Sequence, residues 1–371
     1  MLEKKKAMRR LKILLFTVLL VLLIPMPALA QFTESKQISK RFKVTPETRV
    51  EITNKYGKIK INTWDKDSVV FDIKIRVEDK KLSKLEKLVD DVNVDFTGSQ
   101  HFIIARTKVG ESRSSIEKEI LNFKESVFQS DGKIEIDYTV WLPKSNPLKV
   151  ENKFGDIYIG DYSGDIDINL SNGNLKSHDF SGKTKLNLSF GDATINKMKS
   201  GTLDCNYSEI YIKEAGNLQI VSKSSEFEIT EINEINADSR RDKFRINLIE
   251  NLTAKGSFTN YRISEFNSTL NLKTEYGDLD IEKIDTGFKS VYIESKSMDI
   301  NLGFNEKSEF GFEITHVKCE TSFPGKMTIK NKEVLDEKEN KVQLTGNFGS
   351  NTKTTKLFIN AAGGGINLVE Y

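Results

Sequence analysis

Three acids recur at a fixed interval: Asp192, Glu209 and Glu226, each 17 residues after the last. If the chain between them closes one coil of a repeat, stacking puts the three carboxylates on successive coils about 5 Å apart. Two carboxyl groups at that separation are what a retaining glycosidase uses, and three close acids can hold Ca²⁺. A solvated corner gives the same spacing with no ligand, because repulsion between exposed charges is modest. The expectation is therefore no metal, no cofactor and no enzyme, with this acid ladder the one place where a cation or a catalytic pair would sit. His101, His178 and His316 fall far apart in different elements, against a His-based zinc site. No P-loop, G-x-S-x-G elbow or H-E-x-x-H occurs. Tyr158 and Tyr211 read as outward-facing rings that could stack on sugars, but Lys176 and Thr194 interrupt them, so they read as scattered surface tyrosines.

The elements that would position these residues begin after a leader. Residues 1–30 run from a basic opening (Lys4, Lys5, Lys6, Arg9, Arg10, Lys12) through the apolar stretch Ile13 to Ile24 to Ala28-Leu29-Ala30, a secretory signal with a small-x-small cleavage site before Gln31. That leader holds six of the 56 Lys/Arg and one of the 54 Asp/Glu, leaving 50 against 53 and a formal net charge of −3. Nothing basic remains to suit a nucleic-acid partner. After cleavage no integral membrane segment is expected. The two cysteines, Cys205 and Cys319, are too few for a disulfide framework, and Cys205 reads as a buried thiol.

A refrain then runs down the chain: KFGDIYIGDYSG, then DIDINLSNGNLKSHDFSG. The first inward residue after each polar turn gives the series Ile157, Leu175, Ala193, Ile210, Phe227, Phe244, Tyr261, Leu279, Met298, at spacings of 17 to 19. A second column follows two residues later, from Ile159 to Ile300. A third precedes it as inward pairs such as Leu186/Leu188, Leu203/Cys205 and Leu218/Ile220. A looser fourth runs from Tyr162 to Ile284. Period two means strand, and a unit this short cannot bury its inward face alone. Stacked copies make a parallel β-solenoid with a continuous interior.

The expected architecture is all-β: a single-stranded parallel β-helix with 17–19-residue coils, plus a small α/β insertion near the N-terminus. Residues 31–68 hold N-terminal strands and a first coil, 69–145 a strand-helix-strand insertion that caps one end, 146–302 about nine coils, and 303–371 the C-terminal coils and cap. Within the insertion, Leu82, Leu85, Leu88, Val89 and Val92 fall at helical spacing, and Trp64 and Trp141 pack it on the rod. The turns Gly155-Asp156, Gly173-Asn174, Gly191-Asp192 and Gly277-Asp278 are assigned the positive φ of the tight corners. Outward pairs Glu228/Arg245 and Arg262/Asp280 decorate the face.

NKYGKIKINTWDKDSVVFDIKIRV, a helix of the KLSKLEKLVDDVNV kind, IDYTVWLPKSNPLKVENKFGDIYIGDYSGDIDI and the recurring Phe/Tyr-Gly-Asp turns together resemble the putative-adhesin family of bacterial envelope domains of unknown function, found in Bacteroidetes-type bacteria. The resemblance covers nearly the whole chain after the leader. Tyr207-Ser208-Glu209, Ser224-Ser225-Glu226 and Phe258-Thr259-Asn260 depart from its Gly-Asp turn. It implies a right-handed β-helix exported to the periplasm or cell surface of a Gram-negative bacterium, with no catalytic residue to carry over. The leading expectation is a non-enzymatic, adhesin-like binding or scaffolding module whose partner is an envelope protein or a glycan. A periplasmic partner of an envelope-stress or signalling system and a polysaccharide-active enzyme are the alternatives.

Overall fold

The computed structural model describes residues 32–110, 133–350 and 354–371. The leader and the polar stretch at 111–132 lie outside the described residues.

The N-terminal part contains β1 (Phe32–Lys43), β2 (Arg49–Lys55), β3 (Ile59–Trp64), β4 (Ser68–Asp79), α1 (Leu82–Asp91), β5 (Val92–Gly98), β6 (Phe102–Val109) and β7 (Lys133–Pro143). The rod continues through β8 (Leu148–Lys153), β9 (Ile157–Ile159), β10 (Ile166–Ser171), β11 (Leu175–Ser189), β12 (Asp192–Asn206), β13 (Glu209–Lys223), β14 (Glu226–Arg240), β15 (Lys243–Ser257), β16 (Asn260–Ile284) and β17 (Ser290–Phe304). The C-terminal part is β18 (Phe310–Val317), β19 (Glu320–Ser322), β20 (Met327–Asp336), β21 (Lys341–Phe348), β22 (Thr355–Ala362) and β23 (Gly365–Glu370). Each rod strand pairs in parallel with the next from β8 and β9 to β17. This is the parallel β-solenoid that the period-two columns call for.

From β12 to β15 each coil is one bent strand of 15 residues, closed by one tight corner. In β14, Phe227, Ile229, Ile232, Ile235, Ala237 and Ser239 are buried. Alternation breaks at Thr230-Glu231 and Asn233-Glu234, where two consecutive residues face water. A strand that keeps its pleat cannot point two neighbours outward, so each doublet marks a bend. Phe227, Phe244 and Tyr261 stack inside at 4.7 and 5.2 Å between ring centres.

Two alignments read from the sequence are corrected, each by two residues. Leu203 lies against Ile220, not Leu218, and Cys205 against Ser222. Leu279 lies against Ile300 and Ile281 against Leu302, whereas Met298 sits over Gly277. That coil therefore spans 21 residues, outside the expected 17–19. A two-residue slip keeps every side chain on its own face, so hydrophobic alternation cannot detect it, while a one-residue slip would invert the strand.

The ends of the rod depart from sequence order. At one end, β2 lies between β8 and β6, and β3 between β9 and β7. At the other, β22 lies between β17 and β18, and β23 between β17 and β19. The segment GGGINL is thus the last coil in the chain but an inner rung of the rod. Beyond the outermost parallel rungs the pairing turns antiparallel: β5 on β6, β4 on β7 and β1 on β4 at one end, β21 on β18 and β20 on β21 at the other. Lys36, Lys40 and Arg41 on β1, and Lys332 and Glu333 on β20, put charge on the outermost strands, which discourages further pairing. Helix α1 forms where the spacing predicts and buries Leu85, but Val92, the last residue of that pattern, begins β5. No helix among the described residues is long and apolar enough to cross a membrane.

Candidate functional site

From Tyr56 to Tyr276 each rung has a residue with positive φ at its corner. Along the rod these include Tyr56 (67°), Phe154 (59°), Asn172 (55°), Phe190 (56°), Tyr207 (54°), Ser224 (53°), Arg241 (60°), Phe258 (56°) and Tyr276 (59°). From Tyr56 to Phe258 each donates its N–H to the next rung, as Phe190 does to the Asn206 carbonyl at 3.1 Å and Tyr207 to that of Lys223 at 3.0 Å. They form a single column down one edge. The left-handed region costs an L-residue about 1–2 kcal/mol, and Gly or Asn is its ordinary occupant.

In all four Gly-Asp and Gly-Asn turns the positive φ falls on the residue before the glycine, and at one of them Gly277 has it as well. The glycines serve close approach. A Cβ on Gly155 would meet the Gly57 carbonyl oxygen at 1.9 Å, and one on Gly173 would meet that of Gly155 at 2.1 Å. The left-handed residue itself points outward, so its side chain is free to be large.

Six of these outward side chains are aromatic and stack in pairs on adjacent rungs. Tyr56 and Phe154 lie 5.7 Å apart with planes 6° from parallel. Phe190 and Tyr207 lie 5.1 Å apart at 2°, and Phe258 and Tyr276 4.7 Å apart at 12°. Phe190 is 59% exposed, Phe258 50% and Tyr207 49%. Lys55, Lys153 and Lys223 set their ammonium groups over Tyr56, Phe154 and Tyr207 at 4.7, 5.1 and 5.8 Å. Sequence reasoning singled out Tyr158 and Tyr211 and missed these rings. The signal lay in the refrain itself, since each ring immediately precedes the Gly, Ser or Thr of its turn. Tyr158 spends its hydroxyl on Asp156 at 2.9 Å, and Tyr211 lies exposed on the sheet face between Thr194 and Glu228.

The acid ladder belongs to the same edge. Asp192, Glu209 and Glu226 occupy one register position on successive rungs, two residues after the left-handed column. With Phe190, Tyr207, Ser224, Arg241 and Lys243 they line an open groove of about 650 Å³. Glu226 is held by Arg245 and lies 3.8 Å from Lys243. Arg245 thus reaches Glu226 rather than the Glu228 beside which the register sets it. Arg262 meets Asp280 at 3.9 Å, as the outward column predicts. Among the described residues no three His, Cys, Asp or Glu side chains gather as a metal centre requires. Elsewhere this position has a structural task. Asp137, Asp156, Asn174, Asn260 and Asp299 each accept the backbone N–H of the next rung at 2.8 to 3.2 Å or just beyond, as Asn174 does from Asp192 at 3.3 Å.

Behind the groove the corner residues are Ser208, Ser225, Asp242 and Thr259 instead of glycine, and all four are buried. Asp242 accepts hydrogen bonds from the Ser222 hydroxyl at 2.7 Å, the Ser225 N–H at 2.7 Å and the Arg240 N–H at 2.9 Å. Burial pushes its carboxyl above the ordinary value of 3.8, and the three donors oppose that rise without cancelling it. Ser239 bonds the Tyr261 hydroxyl at 2.9 Å. Cys205 is buried and free, with its thiol pushed up by burial; Cys319 is free and half-buried. His101, His178 and His316 sit on separate elements and build nothing together.

No protein-family model matches the chain, and no curated protein matches it. Two solved structures are similar to it over 91% of its length, each at 11% identity. One is described as a putative cell adhesion protein from Clostridium sporogenes, matched over 100% of its own chain with a TM-score of 0.16. The other is described as a putative adhesin from Bacteroides fragilis, matched over 97% with a TM-score of 0.25. At those scores neither superposition bears on the residues of this edge.

Proposed function

We propose that this chain is an exported, non-enzymatic envelope protein, an adhesin-like binding module on a rigid β-helical rod, with recognition along the left-handed edge. The observation that carries this reading is the paired rings. A fold that accepts Asn172 at the left-handed position, with its lower backbone strain, instead holds Tyr or Phe on six rungs and leaves most of them in water. Stacking within a pair returns about 1 kcal/mol, and both backbone strain and exposed apolar surface are common where a surface is kept for a ligand.

A binding role suits the acids better than catalysis. Glu226 is occupied by Arg245 and Lys243, which leaves Asp192 and Glu209 as the one adjacent pair of the ladder without an ion pair among the described residues. The basic-apolar leader supports export.

Protease shaving of intact cells carrying a tagged copy, compared with the same cells after outer-membrane permeabilisation, tests the reading. Digestion in intact cells is the expected result. Protection until permeabilisation would overturn the adhesin reading and leave a periplasmic partner of an envelope system in its place.

A further inference from the structure

Three features of the edge point to one class of ligand. The first is spacing. Rings occupy adjacent rungs in pairs, and the pair centres are three and then four rungs apart, roughly 14 Å and 19 Å at the rung repeat of parallel strands. Between them lie Asn172, Ser224 and Arg241. A protein partner favours one contiguous apolar core with charge kept to the rim. Separate flat rings on a straight line suit an extended chain that offers the same apolar face again and again.

The second is charge. Around the groove, Asp192, Glu209 and Glu226 are balanced by Arg241, Lys243 and Lys223. A polyanion would meet three carboxylates, and a polycation three cationic side chains. An uncharged ligand rich in hydroxyl groups meets acceptors and donors in equal supply, and Asp192 and Glu209 have no ion pair among the described residues to give up.

The third is ring geometry. Within each pair the planes are nearly parallel, so one face of each ring is covered by its partner. The other face looks toward a neighbouring rung, which for Tyr207 carries the small Ser224 and the Lys223 ammonium, 5.8 Å from the ring centre. A pyranose presents C–H bonds on its faces and hydroxyls around its rim, which matches the apolar outward side of a stacked pair flanked by carboxylates and ammonium groups.

Building on the reading that this edge is the recognition surface, we infer that it binds an uncharged, extended polysaccharide lying parallel to the rod axis, with its sugars packed across the outward sides of the Phe190/Tyr207 and Phe258/Tyr276 pairs and hydroxyls bonded to Asp192 and Glu209.

Affinity electrophoresis of the purified protein through gels containing hydroxyethyl cellulose, xylan, galactomannan or dextran tests this, with alginate and chitosan as charged counterparts. Retardation by at least one extended neutral polymer is expected. The double substitution Phe190→Asn/Tyr207→Asn should weaken it roughly tenfold or more, because Asn keeps the left-handed backbone while removing the rings. Tyr211→Ala, which removes an exposed tyrosine from the sheet face, should leave retardation unchanged. Retardation only by alginate or chitosan would overturn the inference.

Binding of the purified protein to an envelope fraction separates the two levels of argument. If no neutral polymer retards the protein, but the double substitution abolishes envelope binding that prior protease treatment of the fraction also abolishes, the ligand is a protein; the glycan inference falls and the edge stands. If the double substitution changes neither retardation nor envelope binding, the edge is not the recognition surface.

Discussion

Two kinds of corner close the coils of this rod, and they solve one steric problem in opposite ways. In the outer coils the corner is Gly155, Gly173 or Gly191, and the inward residue three positions earlier is Asn152, Leu170 or Leu188. In the middle coils the corner is Ser208, Ser225, Asp242 or Thr259, and the earlier residue shrinks to Cys205, Ser222, Ser239 or Gly256. The glycine coils let backbone press on backbone, with the carbonyl of the rung below where a Cβ would be. The polar coils turn a side chain inward, where Ser225 bonds the Cys205 carbonyl at 3.2 Å and Ser208 bonds Asn206 at 2.9 Å. The polar corners follow 17-residue steps, while 18-residue steps lead from Gly155 to Gly173 and from Gly173 to Gly191. Corner size and the size of the residue before it are traded within each coil. The groove lies over the polar corners, so the part of the rod with the more connected interior also carries the candidate site.

The strongest way to break this comparison is to move a polar corner into a glycine coil. Gly173→Ser would drive its Cβ toward the Gly155 carbonyl and against Leu170, and should cost about 3 kcal/mol in urea unfolding. Leu170→Ser opens a cavity of its own, but the double substitution should cost less than the sum of the singles by ~1 kcal/mol or more. Strict additivity would show that the two positions do not trade volume.

Asp242→Ala sharpens the other side. It leaves two buried donors and one partly buried donor without an acceptor and should cost about 2–3 kcal/mol, against ~1 kcal/mol for Ser208→Ala. Equal costs would mean that the network is no more than a set of independent corners.

The same carboxyl makes stability depend on pH. Its proton is held more tightly in the fold than in the unfolded chain, whose ordinary value is 3.8. The resulting stabilisation is fully present below that value and is lost as pH rises from it toward the raised value. Asp242→Ser removes the titrating group, so wild type should lose ground to this variant as the pH rises above 3.8. A constant difference across that window would assign the upward shift to the wrong group. The smallest effect belongs to Arg245→Ala: its pair with Glu226 is solvent-exposed on both partners, and the change should stay within ~0.5 kcal/mol.

Much of this molecule was legible in residue order. Alternation of period two at intervals of 17 and 18 residues yields strands, their inward faces and their parallel stacking, because a short coil has no other way to bury Ile229 or Phe244. Helical spacing from Leu82 to Val89 yields α1. Three matters were left to the tertiary structure. Stacking alone selects Ile220 over Leu218 as the neighbour of Leu203, and Ile300 over Met298 as that of Leu279, because a shift of two residues leaves every side chain on the same face. The rungs at both ends are filled out of order, since a backbone edge accepts any strand that satisfies its hydrogen bonds, whatever its place in the chain. The six edge rings recur before the Gly, Ser or Thr of their turns, but residue order does not say which way they point. Only the corner geometry, which turns the left-handed residue outward and puts glycine where backbones touch, lines them up in water.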